Sequence, residues 1–253
     1  MTHSTPDLLY QDPRFADFYD IDNGWYDDTR TCLKLAAGAA TVLDLGCGTG
    51  LLASAIAAQG AAMGAEVTGV DPAAAMLDIA RQRDGGARVT WVHGDGRSVR
   101  LGRRFDFICM TGHAFQCLLT DDDQLALLKT IAAHLAPQGR FIFDSRNPVK
   151  REWEEWGEAD SHRFIEHPKH GKVESWNDYA FDEATGIVTY GTYYRLANGD
   201  LLAAKSQIRF SPQESLARLM AEAGLAVDRW MGDWLGGDYR PDAKEIIPLG
   251  RLA

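Results

Sequence analysis

Thr41-Val42-Leu43-Asp44-Leu45-Gly46-Cys47-Gly48-Thr49-Gly50 is the stretch whose reading decides the fold. Thr41 to Asp44 reads as a buried strand, and Leu51 to Ala58 as an apolar helix. Between them, glycines stand at alternate positions. Such glycines leave no side chain between the backbone and a docked ligand, and they permit the positive-φ conformations of a tight turn. The helix start just beyond offers N–H groups without intrahelical partners. Strand, glycine turn and helix in this order point to a nucleotide-type cofactor at the carboxyl end of the first strand of an open α/β sheet.

Asp44 narrows the kind of cofactor. A dinucleotide turn reads G-x-G-x-x-G, whereas this one reads G-x-G-x-G behind an acid. A carboxylate there repels a pyrophosphate and suits a ligand with an ammonium group. The next strand is predicted over Glu66–Val70. Asp71 sits at its carboxyl end, where an acid accepts hydrogen bonds from both ribose hydroxyls. Pro72 opens a helix predicted over Ala73–Arg83. Strands are predicted over Val89–His93 and Phe105–Met110, and a helix over Asp121–Leu135 with three acids in its first turn. Pro137-Gln138-Gly139 reads as a turn into a strand at Arg140–Asp144.

The run Asp44-Leu45-Gly46-Cys47-Gly48-Thr49-Gly50 resembles the first motif, D/E-x-G-x-G-x-G, of the class I S-adenosylmethionine (SAM)-dependent methyltransferases. Residues 67–81 resemble the second motif, and residues 135–144 are also similar, so the resemblance runs across 41–145. It implies a Rossmann-like, seven-stranded, mostly parallel sheet with an antiparallel final strand. It also implies methyl transfer from S-adenosyl-L-methionine, with S-adenosylhomocysteine (SAH) as product. The cofactor residues it implies are Asp44, Gly46, Cys47, Gly48, Gly50, Asp71 and Pro72, with Met110 at the end of the fourth strand. Met76 would lie near the adenine, although a core position on the helix is an equal reading. Asp95 would accept from the adenine amine and the Gly96 N–H would meet a ring nitrogen; a plain turn is the alternative. Family members bring an N-terminal tyrosine to the methionine end of the cofactor. Tyr10, Tyr19 and Tyr26 are candidates that the sequence does not separate.

The acceptor side is read from the residues. His113 is the one titratable side chain in Met110–Gln116, just past the fourth strand, where open α/β sheets place their chemistry. It is either a base for an amine or hydroxyl, or a structural histidine. After Pro148 the character changes, and three antiparallel strands are predicted over Val173–Phe181, Ile187–Leu196 and Leu201–Phe210. This gives three regions: an N-terminal helical flap (1–40), a core (41–148 and 211–253) and an inserted antiparallel β subdomain (149–210). Similar small-molecule methyltransferases use such an insert as a lid or a homodimer contact. Arg146, Trp176, Tyr193, Tyr194 and Arg209 are the candidate acceptor contacts. Ser211 with Glu214 reads as a capping box, and Ala226–Trp230 and Glu245–Leu252 as a final hairpin. The loop 231–243, with Trp234, Tyr239 and Arg240, is long enough to reach a pocket.

Composition bounds the rest. A formal charge of −10 and a pI near 5.1 disfavour nucleic acid and anionic membrane as partners. Four cysteines without C-x-x-C spacing, and no leader or membrane-length apolar run, lead to the expectation of a reduced cytoplasmic compartment. His162, His167 and His170 match no familiar metal spacing, so no metal is expected. The readings set against a small-molecule methyltransferase are an NAD-dependent oxidoreductase, a methyltransferase of protein or nucleic acid, and a non-catalytic binding protein on the same fold.

Overall fold

The computed structural model describes residues 7–253; the polar start at 1–6 lies outside them. In chain order the elements are α1 (Leu8–Gln11), α2 (Pro13–Asp22), α3 (Asp27–Leu35), β1 (Thr41–Leu45), α4 (Leu51–Gly60), β2 (Glu66–Asp71), α5 (Ala74–Gln82), β3 (Val89–His93), β4 (Phe105–Met110) and α6 (Asp121–His134). They continue with β5 (Leu135–Phe143), β6 (Ser145–Arg146), α7 (Glu158–Ser161), β7 (Arg163–His167), β8 (Gly171–Asp182), β9 (Ile187–Arg195), β10 (Leu201–Arg209), α8 (Gln213–Glu222), β11 (Leu225–Met231) and β12 (Glu245–Leu252).

The main sheet runs β11-β12-β5-β4-β1-β2-β3, with the two-residue β6 also paired to β12. β1 to β5 are mutually parallel, whereas β12 is antiparallel to both β5 and β11. The central strands are mostly apolar and buried on both faces, as parallel strands covered by helices require. One face holds Phe105, Phe141, Phe143, Leu127, Leu128 and Leu216 beneath α6 and α8; the other packs Val42, Leu52, Ile56, Phe107 and Ile247 beneath α3 and α4.

Gly50 shows why the turn after β1 needs glycine. Its φ is +76°, and a Cβ would stand 2.5 Å from the Trp91 ring and 2.8 Å from the Ala80 methyl. Trp91 on β3 fills the space between β2 and the start of α4, and donates its indole N–H to the Gly86 carbonyl at 2.9 Å. Any side chain at 50 would pay both in backbone strain and in a clash.

A second sheet, ordered β10-β9-β8-β7 and antiparallel throughout, lies between β6 and α8. Its inner face meets the N-terminal helices: Phe15 and Phe18 of α2 pack with Val173, Tyr194 and Ala204. The Phe18 and Tyr194 rings stack at 4.1 Å.

Four local expectations change. Pro137-Gln138-Gly139 lies within β5 as an irregularity, because Phe105 pairs with Leu135 while Phe107 pairs with Arg140. Arg163–His167, outside the three strands predicted for the insert, is a fourth strand, held by pairing with β8 despite its polar composition. The capping box at Ser211 does not form: Pro212 is the N-cap, and the Ser211 hydroxyl accepts from the Gln124 amide at 2.9 Å. Loop 231–243 turns back on the core, with Trp234 only 9% exposed and its carbonyl bound by the Thr31 hydroxyl at 2.7 Å.

Candidate functional site

The carboxyl ends of β1, β2, β3 and β4 converge on the glycine loop. Most N–H groups of that loop are engaged within the protein. Gly46 and Cys47 donate to the Val70 carbonyl at 2.8 and 3.1 Å, and Gly50 donates to Cys47 at 2.9 Å. Gly48 donates to Asp71 Oδ2 at 2.8 Å. A loop whose donors point into its own sheet does not cradle a pyrophosphate in the way a dinucleotide turn does.

What it offers instead is negative charge in a dry place. Asp44 is 2% exposed. Burial, aided by the nearby Asp71, pushes its carboxyl up to about 7. Asp71 is also raised by burial, opposed by the N–H groups of Ala73 and Gly48 that its two oxygens accept. Each Asp71 oxygen keeps a second lone pair for a further donor. Two buried carboxylates without a buried lysine or arginine on them favour a cation, and a cation there would lower both pKa values.

Helix α2 lies over the loop. The Tyr19 ring sits 3.7 Å from where a Gly48 Cβ would stand, and its hydroxyl is 3.8 Å from the corresponding point at Gly112. The Thr49 hydroxyl donates to Asp20 at 2.6 Å, and Arg83 binds both Asp20 and the Thr49 carbonyl. The same helix holds the second sheet: Asp22 accepts from Arg163 at 2.7 Å and from the Tyr194 hydroxyl at 2.5 Å. Between these layers lies a cavity of about 390 Å³. Its walls come from the N-terminal helices (Tyr10, Tyr19, Asp22), the turn after β4 (Gly112, His113, Cys117), and the second sheet with its approach (Arg146, Trp156, Asn177, Tyr190, Thr192, Tyr194). The Tyr10 and Tyr190 hydroxyls hydrogen-bond across it at 2.8 Å.

His113 lines this cavity in the left-handed region, with φ 59°. Its backbone N–H donates to Asp144 Oδ1 at 3.0 Å. Its ring Nε2 lies 3.0 and 3.1 Å from the two oxygens of Glu245 and 3.7 Å from Asp144 Oδ2. Asp144 is fully buried, and burial pushes it up to about 6, with His113 opposing and Glu245 adding. Asp144 Oδ2 has no hydrogen-bond partner among the described residues.

The remaining candidates divide. Met110 reaches Gly46, its Cε 3.5 Å from the point a Cβ would occupy. Cys47 turns toward β2, its Sγ close to Gly69. Pro72 is exposed in the turn after β2, and its carbonyl bonds His93 at 2.9 Å. Met76 is 1% exposed and packs beneath Tyr10 and Tyr19. Asp95 follows β3 at the same sheet end, but Arg97 holds both its oxygens and keeps its carboxyl below the usual range. Gly96 is closed from below, since a Cβ would meet Leu127 at 2.7 Å.

Tyr26 stands apart, 55% exposed, with its hydroxyl on the Asp22 carbonyl. Arg146 and Tyr194 line the cavity. Trp176 and Tyr193 do not: they stack on each other at 5.3 Å on the outer face of the second sheet, where Tyr193 donates to Asp178. Adjacent strand residues face opposite ways, so Tyr193 and Tyr194 cannot share one pocket. Arg209 is also outside, paired with Asp121 at 2.7 Å. Tyr190, Thr192 and Asn177 are cavity residues that the sequence reading passed over. The alternation 190, 192, 194 on β9 was the available signal. Glu245 left none, being 132 positions from His113.

Asp17, His167 and His170 bring ligand atoms within 4.8 Å of one another. Both ring nitrogens of His167 are occupied by protein, Nε2 by the Asp17 carbonyl and Nδ1 by the N–H groups of Lys169 and His170. The Asp17 carboxylate is paired with Lys169. This is the arrangement of a satisfied structural histidine.

Residues 42–139 match the methyltransferase domain family. The cypemycin N-terminal methyltransferase of a Streptomyces species is 36% identical over 110 residues, 44% of this chain and 43% of that protein. The chain therefore spans less than half the length of that curated relative in the matched region. Two solved structures share the fold along nearly the whole chain. The CcbJ methyltransferase of Streptomyces caelestis superposes with a TM-score of 0.78 at 23% identity, covering 99% of this chain and 100% of that one. A SAM-bound amino pentose methyltransferase of Micromonospora echinaspora gives 0.68 at 21% identity, covering 99% and 100%. No helix among the described residues is long and apolar enough to cross a membrane.

Proposed function

We propose that this chain, whose residues 42–139 form a methyltransferase domain, transfers the methyl group of S-adenosyl-L-methionine to a nitrogen or oxygen of a small molecule held in the cavity beside His113. The observation that carries the reading is the pairing of a self-satisfied glycine loop with buried Asp44 and Asp71. That surface suits a cationic cofactor and disfavours the pyrophosphate of NAD. The SAM-bound neighbour and the amino-directed relatives support the choice of cofactor and acceptor class.

When bound, the cofactor supplies an electrophilic methyl group on a sulfonium leaving group. The chain's residues do the rest. Asp44 meets the ammonium side of the cofactor, Asp71 accepts from the ribose, and Gly46 and Gly48 allow close approach. Met110 and the turn at Gly112 border the methyl. Asp95 holds the adenine amine with the lone pairs left by Arg97. Tyr19 covers the loop, and the second sheet closes the cavity against water. Alignment and dehydration of this kind account for much of the barrier reduction in a bimolecular transfer. His113 lines the cavity and receives the acceptor's proton. The insert serves as a lid over the same chain's site; a homodimer contact is the alternative role, which sedimentation would reveal.

Calorimetric titration with SAH and, separately, NAD tests the reading. SAH binds and NAD does not, and Asp71→Asn loses the SAH heat. Absence of SAH binding by folded, ligand-free protein would sink it. A mass-spectrometric screen of amines and alcohols with labelled cofactor then identifies the acceptor.

A further inference from the structure

We infer that Glu245 is a positioning residue that commits Nε2 of His113 and leaves Nδ1 as the nitrogen that takes the acceptor's proton. The inference deepens the methyltransferase reading and rests on it.

The placement begins with the sheet. β6 extends past the end of β5 and pairs antiparallel with the first residues of β12, setting Glu245 opposite Arg146 and Ile246 opposite Ser145. This short ladder carries Glu245 beyond the core to the turn that follows β4. There its two oxygens lie 3.0 and 3.1 Å from Nε2 of His113. Asp144, in the one-residue step between β5 and β6, accepts the His113 backbone N–H and pins the left-handed turn. Two carboxylates therefore hold one histidine, Asp144 by its backbone and Glu245 by its ring.

Carboxylates accept hydrogen bonds when ionised, so Nε2 must carry the proton to satisfy Glu245. Nδ1 makes no hydrogen bond among the described residues, and the residue lines the cavity. In the reaction, the acceptor heteroatom bonds to the methyl carbon as the carbon–sulfur bond breaks and sulfur keeps the electron pair. The acceptor's surplus proton passes to Nδ1. The resulting imidazolium is stabilised at Nε2 by Glu245 and, from 3.7 Å, by Asp144 Oδ2. Arg146, the cation next to this group, is turned onto Glu152 and Gln116 and does not compete for Glu245.

Alkylation with bromoacetamide tests the assignment, because a histidine is modified on the nitrogen that has a free lone pair and access. Hydrolysis and comparison with the two ring-substituted histidine standards reads the position. The wild type is expected to give the Nδ1 product at His113, and Glu245→Gln a mixture of both, with SAH affinity within about twofold of wild type. Modification on Nε2, no modification of His113, or the same product from Glu245→Gln would each overturn the assignment. If the variant does not fold, the wild-type product alone still decides which nitrogen is free. Loss of the methyltransferase reading would be distinguishable, since it would appear as a wild type that fails to bind SAH, whatever its alkylation pattern.

Discussion

The two halves of the site are built by different means. The proposed cofactor side is local: one strand, one glycine turn and the end of the adjacent strand supply Asp44, Gly46, Gly48 and Asp71 within a single βαβ unit. The acceptor side is assembled from distant pieces. Tyr10 meets Tyr190 across 180 positions, and His113 meets Glu245 across 132. A local site keeps its geometry as long as one unit folds. A site closed by long-range contacts depends on the docking of the N-terminal helices and the second sheet, and that is where substrate choice is free to vary without disturbing the cofactor.

That contrast breaks most visibly at His113. His113→Ala should lower kcat by roughly 10²- to 10⁴-fold, the usual range for a general base, and leave SAH affinity nearly unchanged. Steady-state kinetics with calorimetry check both halves at once. A parallel loss of SAH binding would show that the two sides are one unit.

Asp71→Ala acts on the other side. It removes the acceptor for Gly48 and Ala73 and the contact proposed for the ribose, so SAH affinity should fall by roughly 100-fold or more. The acceptor cavity should persist, as crystallography of the variant would show.

Asp44 gives a smaller effect with a sign that depends on pH. Its carboxyl moves from an ordinary value of 3.8 to about 7 in the folded chain. Between those values the folded state holds more protons than the unfolded, so stability falls as pH rises through the window and levels off above it. Asp44→Asn should therefore raise the melting temperature of ligand-free protein at pH 8, by about 2–4 kcal/mol of stability, and give little gain near pH 4. Thermal unfolding at the two pH values measures this. The same variant should weaken SAH binding, the usual exchange of stability for function in a charged site.

The smallest effect sharpens the face assignment of the second sheet. Trp176→Ala, on the outer face, should leave SAH affinity and the acceptor KM within about twofold, whereas Tyr190→Phe, on the inner face, should raise the acceptor KM several-fold. Equal effects from both would contradict the period-two placement.

These differences also explain what the sequence disclosed. The parallel core was readable because apolar runs, alternate glycines and strand-end acids report on residues close in the chain. The antiparallel final strand was implied by the family resemblance, and the strand order is seen only in the structure. The second sheet was readable as strands from its β-branched and aromatic alternation, but β7 was lost because Arg163-Phe164-Ile165-Glu166-His167 is polar enough to pass for loop. Side-chain direction was the weak point. Adjacent Tyr193 and Tyr194 were both assigned to the pocket although a strand must separate them. Glu245 could not be found, since only the pairing of β6 with β12 brings it to His113.

Helix α2 carries Asp17, Asp20 and Asp22, which grip Lys169, Arg83 with Thr49, and Arg163 with Tyr194. One short rod is thus tied to both walls of the cavity, by buried Phe15 and Phe18 and also by partly exposed ion pairs, the kind that dissolved salt weakens. Since α2 touches both the glycine loop and the second sheet, raising ionic strength should loosen its hold on the two together, and SAH affinity should fall modestly with salt.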